Sequence, residues 1–336
     1  MTVVGPFGLS VRDQALEADV QNGLAAVEAG LLDATKSEVP FITEAAQHLV
    51  RAGGKRFRPL LAMLAAQFGD PYAPGVVPSA VVVELTHLAT LYHDDVMDEA
   101  DVRRGVASAN ARWGNSLAVL TGDFLFARAS HILADLGPEA VRIQAEAFER
   151  LVTGQILETA GPRDGRDPVD HYLDVIGGKT GSLIAVSGRF GAMMSGADEG
   201  ITDILTQYGE RLGVAFQLAD DVLDIASDSH ESGKTPGTDL REGIPTLPVL
   251  RLRERAAAHG RAEDLELVEL LEGDLTDDAR HAEALGRLRV HPALEQARRD
   301  TVRYAEEARA LLAPLPKCYA RAALEELCDA VVHRAG

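Results

Sequence analysis

Apolar residues recur at intervals of three and four along most of this chain, which is the spacing of an amphipathic helix. In the segment SAVVVELTHLATLYHDDVMD this spacing links five residues: Val82, Leu85, Leu88, Ala89 and Tyr92. The later segment ITDILTQYGERLGVAFQLADDVLDIA shows the same spacing. Both segments are therefore predicted to be helices with a buried face.

Proline- and glycine-rich stretches separate the helical segments, as in GDPYAPGVVP, AGPRDGRDP and SGKTPGTDLREGIP. Alternating patterns typical of strands are nearly absent. We therefore predict an all-α protein that forms a single domain over residues 1–336, with roughly ten to fourteen helices of ordinary length. No linker, fixed-period repeat or low-complexity tract interrupts the pattern.

Composition and charge narrow the classes of partner. The chain has 336 residues, of which 46% are hydrophobic and 25% charged, enough for a large core. Its formal net charge of -19 at pH 7 argues against a nucleic-acid or anionic-membrane partner, because both need a basic surface. An anionic substrate must therefore meet a local exception, and two exist: the motif GGKRFRP at residues 53–59 and the pair Arg103 and Arg104.

Two cysteines, Cys318 and Cys328, are too few for a disulfide framework or a thiolate metal site. The start of the chain, MTVVGPFGLSVRDQ, lacks the basic residues and sustained apolar stretch of a signal peptide. No apolar run approaches the length that spans a bilayer. We therefore expect a cytoplasmic protein without a transmembrane segment.

Two acidic motifs end the two apolar helices and share one spacing, since HDDVMD is repeated as ADDVLD. Asp94 with Asp98, and Asp220 with Asp224, are four residues apart, so each pair presents two carboxylates on one side of a helix. Like charges at this spacing destabilise a helix unless a cation is near. One such motif is usually a solvated helix face, but two copies on buried helices favour a Mg²⁺ site that holds a metal-bound polyanion.

The basic motif GGKRFRP offers an anion two glycines and the side chains of Lys55 and Arg58, three residues apart. Taken alone, the motif would more often be a turn that carries solvated charges. The sequences GGKT and SGKT further along are not nucleotide loops. A Walker sequence needs a glycine five positions earlier, where this chain has Leu173 and Asp228.

These motifs, together with GDFLFARA, GGKTGSLI, FQLADDVLD and GKTPGTDLREG, resemble in content and order the trans (E-type) polyprenyl diphosphate synthases, the family of farnesyl and geranylgeranyl diphosphate synthases. The resemblance covers about residues 50–250. It implies a helical bundle of the isoprenoid synthase type around a central cavity, a homodimer, and about three Mg²⁺ ions per active site. It also implies an enzyme that joins isopentenyl diphosphate to an allylic prenyl diphosphate.

The resemblance assigns roles to matching positions. It implies that four aspartates bind Mg²⁺: Asp94, Asp98, Asp220 and Asp224. Asp95 and Asp221 would support these four. It implies that the allylic diphosphate is held by three cations: Arg103, Lys179 and Lys234. It implies that isopentenyl diphosphate is held by five residues: Gly54, Lys55, Arg58, His87 and Arg104. Thr180 and Gln217 would lie near the reacting carbons and stabilise the carbocation. Without the resemblance, His87 on an apolar helix is more often a core histidine.

Product length depends on the positions that precede the first aspartate. The allylic tail is expected to run back along its own helix, past Ala89 and Thr90. The resemblance implies that short-chain relatives block this path with a bulky aromatic residue at the place of Ala89. If the path of the tail is closed at Val82 instead of at residue 89, it is longer by about 10 Å, which is room for roughly two further five-carbon units. We therefore predict a product beyond about twenty carbons. The alternative is that another helix closes the floor of this path, through Phe124 or Phe126.

One position departs from the family pattern. Where the family usually shows lysine in EGKxTLP, this chain reads EGIPTLP, with Ile244 in place of the lysine. That diphosphate contact is therefore in doubt, with Lys234 and Arg241 as candidates to replace it.

Other classes fit the motifs less well. A short-chain synthase is the alternative for product length. A terpene cyclase would share the first acidic motif, but its second motif usually mixes Asn, Ser or Thr with Glu, and it has little use for Lys55 and Arg58. A phosphohydrolase of the HD type would explain His93 and Asp94 but not the second motif. A non-catalytic partner subunit would be expected to have lost the metal aspartates.

Overall fold

A computed structural model describes the backbone of residues 2–4, 9–11, 13–227 and 236–335, with side chains for residues 13–227 and 236–334. The chain forms two compact units. Unit 1 comprises three stretches: Met1–Glu149, Leu183–Gly209 and Leu312–Glu326. Unit 2 comprises three others: Arg150–Ser182, Glu210–Leu311 and Leu327–Gly336.

The described residues are predominantly helical, as predicted. The helices before residue 177 are α1 (Gln14–Ala34), α2 (Pro40–Arg51), α3 (Phe57–Ala66), α4 (Val76–Met97), α5 (Ala109–Trp113), α6 (Asn115–Leu136), α7 (Pro138–Ala160) and α8 (Pro168–Ile176). A π-helical turn, Gly177–Gly181, leads into α9 (Ser182–Met194). The later helices are α10 (Glu199–Ala226), α11 (Thr238–Arg241), α12 (Leu247–His259), α13 (Ala262–Leu271), α14 (Asp278–Arg289), α15 (Pro292–Leu311) and α16 (Tyr319–Ala335).

Sixteen α-helices in the described part of the chain exceed the ten to fourteen predicted. The difference comes from short helices such as α5 and α11, which have 5 and 4 residues and leave no periodic signal in the sequence. Two small antiparallel hairpins accompany them: β1 (Thr2–Val4) pairs with β2 (Leu9–Val11), and β3 (Val102–Arg103) pairs with β4 (Val106–Ala107).

Helix α4 lies at the centre of unit 1, packed against α1, α3 and α6. All five residues that defined its predicted apolar face are fully buried. Polar residues of the same helix, among them Glu84 and Thr86, are buried as well, so α4 is enclosed on nearly every side. The hydroxyl of Tyr92 donates to the backbone oxygen of Ala45 at 2.6 Å, which ties α2 to α4.

Helix α6 approaches α4 closely because Gly122 faces it. A Cβ atom at Gly122 would lie 2.5 Å from Cδ2 of His93 and 3.1 Å from the backbone oxygen of Ala89. Against our expectation for the sequence, α6 could cross a membrane by its length and composition, because it is apolar and has few charged residues. Of its most apolar 18-residue stretch, 33% is buried. A core helix passes the same test, so this property alone does not identify a membrane span.

Unit 2 is organised around α12, which packs against α8, α13 and α15, while α14 contacts α11, α13 and α15. The part of α10 in this unit buries Leu212, Ala215 and Ala219 completely, in agreement with its predicted apolar face. This burial fixes the direction of the opposite side of α10, which carries the second acidic motif.

Candidate active site

The first acidic motif occupies the last turn of α4. Asp94 lies within the helix and Asp98 caps its end, where the backbone N–H of Asp98 donates to the oxygen of Asp94 at 2.8 Å. The helical register that places these two aspartates on one side is therefore intact. Both carboxylates have accessible surface, as a metal-binding role requires.

Asp95 points the other way and is fully buried. Its Oδ1 accepts a hydrogen bond from Nε of Arg103 at 2.5 Å, and Nη2 of the same arginine lies 3.7 Å from Asp98. Its Oδ2 is buried without a hydrogen-bond partner in the described residues. Arg103, expected at the allylic diphosphate, thus also neutralises two of the acids that crowd this motif.

A two-residue turn after Arg103 sets the position of Arg104. Arg103 pairs with Val106, and both turn residues have positive φ, 54° at Arg104 and 77° at Gly105, which is the geometry of a type I′ hairpin turn. Nη1 of Arg104 donates to the backbone oxygens of Leu49, at 3.1 Å, and of Gly53. These bonds hold the arginine in a backbone conformation that residues with a Cβ rarely adopt.

The predicted isopentenyl diphosphate residues of unit 1 converge around Arg104. A Cβ atom at Gly54 would lie 2.9 Å from the Arg104 guanidinium carbon, so only glycine fits there without displacing that side chain. Burial lowers the pKa of Arg58 to about 10, with Glu84 opposing the change and Arg104 adding to it. Nε of Arg58 is buried without a partner among the described residues, and a diphosphate oxygen would satisfy it. Lys55 is exposed.

His87 belongs to the same group. Burial lowers its pKa well below 6.5, and the positive charges of Arg58 and Arg104 lower it further. The imidazole is therefore neutral near pH 7 and offers hydrogen bonds instead of charge.

The predicted chain-length positions lie in the interior of unit 1. Ala89 is fully buried, and the hydroxyl of Thr90 donates to the backbone oxygen of His87 at 2.8 Å. One turn earlier, the buried Thr86 accepts a hydrogen bond from Nε2 of Gln144 at 2.9 Å. Oε1 of Gln144 is buried and unpartnered within the described residues, so this polar pair interrupts an otherwise apolar region.

Phe126 of α6 also lies near this region. Its ring centroid is 5.8 Å from the His93 ring and 4.4 Å from the Phe148 ring. Phe124 instead faces the guanidinium group of Arg128 at 6.0 Å. Of the two phenylalanines proposed as an alternative floor, Phe126 is therefore the one that packs beside α4.

In unit 2, Lys179 and Thr180 lie in the π-helical turn between α8 and α9. The turn is recognised by the backbone N–H of Ser182, which donates to Gly177 five residues earlier. The turn packs closely on α7, because a Cβ atom at Gly154 would lie 2.8 Å from the backbone nitrogen of Lys179. The Lys179 ammonium forms an ion pair with Glu158, a residue that the sequence did not single out.

A chain of hydrogen bonds links the turn to α10. The hydroxyl of Thr180 donates to Oε1 of Gln217 at 3.0 Å, and Nε2 of Gln217 donates to Oδ1 of Asp221 at 3.0 Å. The phenol of Tyr172 donates to the other oxygen of Asp221. Burial raises the pKa of Asp221 to about 8, and the charge of Asp239 adds to this effect. Asp221 thus supports Gln217, a contact that the sequence did not predict, and Tyr172 joins the group.

The two metal-binding candidates of unit 2 have different neighbours. Nη2 of Arg334 donates to Oδ1 of Asp220 at 2.6 Å, while the same guanidinium stacks 4.7 Å over the Phe216 ring. Asp224 instead accepts from the backbone N–H groups of Thr238 and Asp239, each at 3.3 Å, at the start of α11.

Lys234 lies outside the described residues. Arg241, one candidate to replace the lysine absent at Ile244, donates to Oδ1 of Asp278 at 2.8 Å and to the backbone oxygen of Thr276 at 3.3 Å. An exposed acidic partner therefore engages Arg241, just as Glu158 engages Lys179.

Each unit thus gathers one set of predicted residues. Unit 1 joins Gly54, Arg58, His87 and Arg104, and separately Arg103 with Asp98. Unit 2 joins Thr180 with Gln217. Four contacting residues escaped the sequence analysis: Glu84, Glu158, Tyr172 and Arg334. Glu84 alone left a usable signal, because it is the one acid in the apolar stretch before His93, and a buried acid needs a counter-charge.

The aspartate pairs fit Mg²⁺. No three His, Cys, Asp or Glu side chains among the described residues form a group that would hold a metal by themselves. Mg²⁺ does not require such a cage, because it commonly takes one or two carboxylates and completes its shell with phosphate oxygens and water. The contact of Arg334 with Asp220 shows that this carboxylate already accommodates a cation.

Comparison with known proteins identifies the family. The polyprenyl synthetase family matches residues 39–287. The chain is 48% identical over 331 residues to nonaprenyl diphosphate synthase of Mycobacterium tuberculosis, covering 98% of this chain and 97% of that protein. Geranylgeranyl pyrophosphate synthase from Corynebacterium glutamicum, complexed with calcium and isoprenyl diphosphate, has a TM-score of 0.86 and 45% identity, covering 98% of this chain and 100% of that chain.

A decaprenyl diphosphate synthase from Rhodobacter capsulatus gives a TM-score of 0.85 with 36% identity, covering 96% of this chain and 99% of that chain. The chain therefore belongs to the polyprenyl synthetase family, and it is a prenyltransferase. The predicted all-α fold of the isoprenoid synthase type is confirmed.

Proposed function

We propose that this prenyltransferase joins isopentenyl diphosphate to an allylic prenyl diphosphate and builds a product longer than about twenty carbons. The observation that carries the length is Ala89, a fully buried methyl side chain five residues before Asp94. The similarity to a nonaprenyl diphosphate synthase, at 48% identity, supports the same conclusion.

The chemistry needs stabilisation of a leaving diphosphate and of the carbocation that remains. Asp94, Asp98, Asp220 and Asp224 are proposed to bind Mg²⁺, which when bound stabilises the negative charge that develops on the leaving group. Cationic side chains add to this effect because their charges are placed before the reaction begins: Arg103, Lys179 and Lys234. The metal count of about three per active site is part of the same proposal.

Thr180 and Gln217 act at the other end of the breaking bond. Their hydrogen bond at 3.0 Å fixes the orientation of the Gln217 amide, so its oxygen dipole stays aligned while positive charge develops on carbon. Arg58, Arg104 and neutral His87 hold isopentenyl diphosphate through hydrogen bonds, with Lys55 at the exposed rim. The double bond of isopentenyl diphosphate then attacks the cation, and a proton leaves to the departing diphosphate.

A shorter product is the second candidate. The observation that favours it is the 45% identity with a geranylgeranyl pyrophosphate synthase over nearly the whole chain. The buried pair of Thr86 and Gln144 supports it as well, because an elongating hydrocarbon would have to pass two polar groups without offering them hydrogen bonds.

The proposal includes a cytoplasmic homodimer and one functional domain. Helix α6 supports the dimer, since Leu120 is 61% exposed and Val119 is 39% exposed on a helix of high apolar content. In a dimer, a second copy of the chain would remove Val119 and Leu120 from water. In a monomer, both side chains would stay in contact with water. Sedimentation of the purified protein measures this association directly.

Product analysis tests the function. Purified protein is incubated with Mg²⁺, isopentenyl diphosphate and, in separate reactions, geranyl, farnesyl and geranylgeranyl diphosphate, and the products are sized by mass spectrometry. Products beyond about twenty carbons that disappear on chelation and in Asp94→Ala support the long-chain proposal. Products that stop at or below that length support the second candidate, and cyclic hydrocarbon from the primer alone contradicts both.

A further inference from the structure

Glu84 is a buried acid with no role in the chemistry proposed above. It lies in the middle of α4, one turn before His87, and its side chain is 2% exposed. A carboxylate removed from water to this extent is costly unless cations and hydrogen bonds compensate it. The cations that surround Glu84 therefore indicate what it does.

The first of these cations is Arg56. Its Nη1 donates to Oε1 of Glu84 at 3.0 Å, and its Nη2 donates to the backbone oxygen of Val50 at 3.0 Å. Its remaining donors reach Glu28 of α1. Arg56 precedes α3 in a left-handed backbone conformation, with φ of 48°, so these bonds hold the strained junction of the GGKRFRP motif.

The second cation is Arg104, whose Nη2 lies 3.9 Å from Oε1 of Glu84. One carboxylate oxygen therefore lies within ion-pair distance of two arginines. The charge of Glu84 also acts on Arg58, where it opposes the lowering of the arginine pKa by burial. Three positive side chains near the proposed isopentenyl diphosphate site thus share one buried negative charge.

Without a counter-ion, guanidinium groups this close repel one another and turn towards solvent. We propose that Glu84 is the positioning residue of this cluster: it holds Arg56 and Arg104, and through Arg56 the GGKRFRP turn, in the geometry that receives isopentenyl diphosphate. The inference rests on the proposed function. Glu84 contacts no substrate in this role and acts through the arginines.

The arrangement makes the two substrates respond differently. The allylic diphosphate is assigned to the aspartates and to Arg103 and Lys179, two cations that pair with other acids, Asp95 and Glu158. Removing the charge of Glu84 should therefore weaken one substrate selectively. A loss of general stability would instead reduce the amount of active enzyme without separating the two KM values.

The test is steady-state kinetics of Glu84→Gln, which keeps the size and the acceptor oxygen but removes the charge. We expect KM for isopentenyl diphosphate to rise about tenfold, with KM for the allylic substrate unchanged. Glu84→Asp retains the charge but withdraws it from Arg104, so its KM for isopentenyl diphosphate should rise about threefold. If the Gln variant fails to fold, the Asp variant is the test. An unchanged KM for isopentenyl diphosphate in the Asp variant then overturns the proposal.

Glu146→Gln is the control, because Glu146 pairs with Arg142 on an exposed helix face outside this cluster, and its KM values should stay within about twofold of wild type. An unchanged KM in Glu84→Gln, or an equal rise for both substrates, overturns the positioning role. Wild-type protein that makes no product in the same assay contradicts the proposed function itself, so the two failures are distinguishable.

Discussion

The phenol of Tyr172 donates a hydrogen bond to Asp221, the residue directly after the metal-binding candidate Asp220. Asp221 is buried, and its second oxygen accepts from Gln217 at 3.0 Å. Because Gln217 in turn accepts from Thr180, the tyrosine in α8 restrains an amide that is assigned to the reacting carbons. Tyr172 thus restrains the geometry of Gln217, the residue proposed to lie at the reacting carbons, without a proposed substrate contact of its own.

Replacing Tyr172 with phenylalanine tests this restraint. The change leaves a buried acceptor without its donor, which costs about 1–3 kcal/mol in the free energy of unfolding. We also expect kcat to fall while both KM values stay near wild type, because the amide loses orientation but the diphosphate contacts remain. Urea unfolding and steady-state kinetics measure both effects. Tyr319→Phe, at a tyrosine that is 56% exposed, should change neither, and equal effects in the two variants would contradict the role of Tyr172.

Product length should respond to the size of residue 89. The series Ala89→Val, Ala89→Leu and Ala89→Phe adds bulk step by step at a fully buried position, and each step should shorten the largest product seen by mass spectrometry. Overpacking of this kind costs about 1–3 kcal/mol of stability, so thermal unfolding must be followed in parallel. Variants that lose activity but keep the wild-type product length would rule out a path beside Ala89.

Arg334 should compete with Mg²⁺ for Asp220, since its guanidinium already donates to Oδ1 of that carboxylate. Arg334→Gln is expected to lower the Mg²⁺ concentration needed for half-maximal thermal stabilisation in the presence of pyrophosphate, by about two- to fivefold. Arg309→Gln removes a comparable ion pair with Asp329 and serves as the control. A higher Mg²⁺ requirement in Arg334→Gln would mean that this arginine helps to hold the diphosphate instead.

His87 should make the protein sensitive to mild acid. Its pKa in the folded state is lowered well below 6.5 by burial and by Arg58 and Arg104, whereas the unfolded chain binds a proton near pH 6.5. The unfolded state therefore binds an additional proton at this residue as pH falls below about 6.5, so His87 contributes a loss of stability of up to about 1.4 kcal/mol per pH unit. The raised pKa of Asp221 acts in the opposite direction over the same range, because the folded state then binds more protons at that carboxyl.

Chemical denaturation between pH 7 and 5 measures this slope. Relative to wild type, His87→Gln should lose less stability as pH falls, while the same change at the exposed His131 should leave the slope as in wild type. A wild-type slope that persists in His87→Gln would show that other groups cause the acid sensitivity.

Local features of the site were predictable because they depend on neighbours in sequence. The spacing of Asp94 and Asp98 needs only helical periodicity, and the apolar face of α4 follows from the same rule. Periodicity is therefore enough to place these acids correctly on their own helix.

Contacts over long separations were not predictable in the same way. Arg334 meets Asp220 across 114 positions, and Tyr172 meets Asp221 across 49, so no local pattern connects either pair. The left-handed backbone at Arg104 was also missed, because arginine gives no hint of positive φ and only the following Gly105 marks a turn.

The π-helical turn at Gly177–Gly181 carries a consequence for the evolution of this chain. Each residue added to or removed from a helix rotates everything beyond it by about 100°. Deleting one residue from the turn would restore regular helix and rotate Lys179 and Thr180 away from their partners, Glu158 and Gln217. A substitution in this segment alters one side chain, whereas a change of length displaces both of these contacts at once, so insertions and deletions are expected to be eliminated here before most substitutions are.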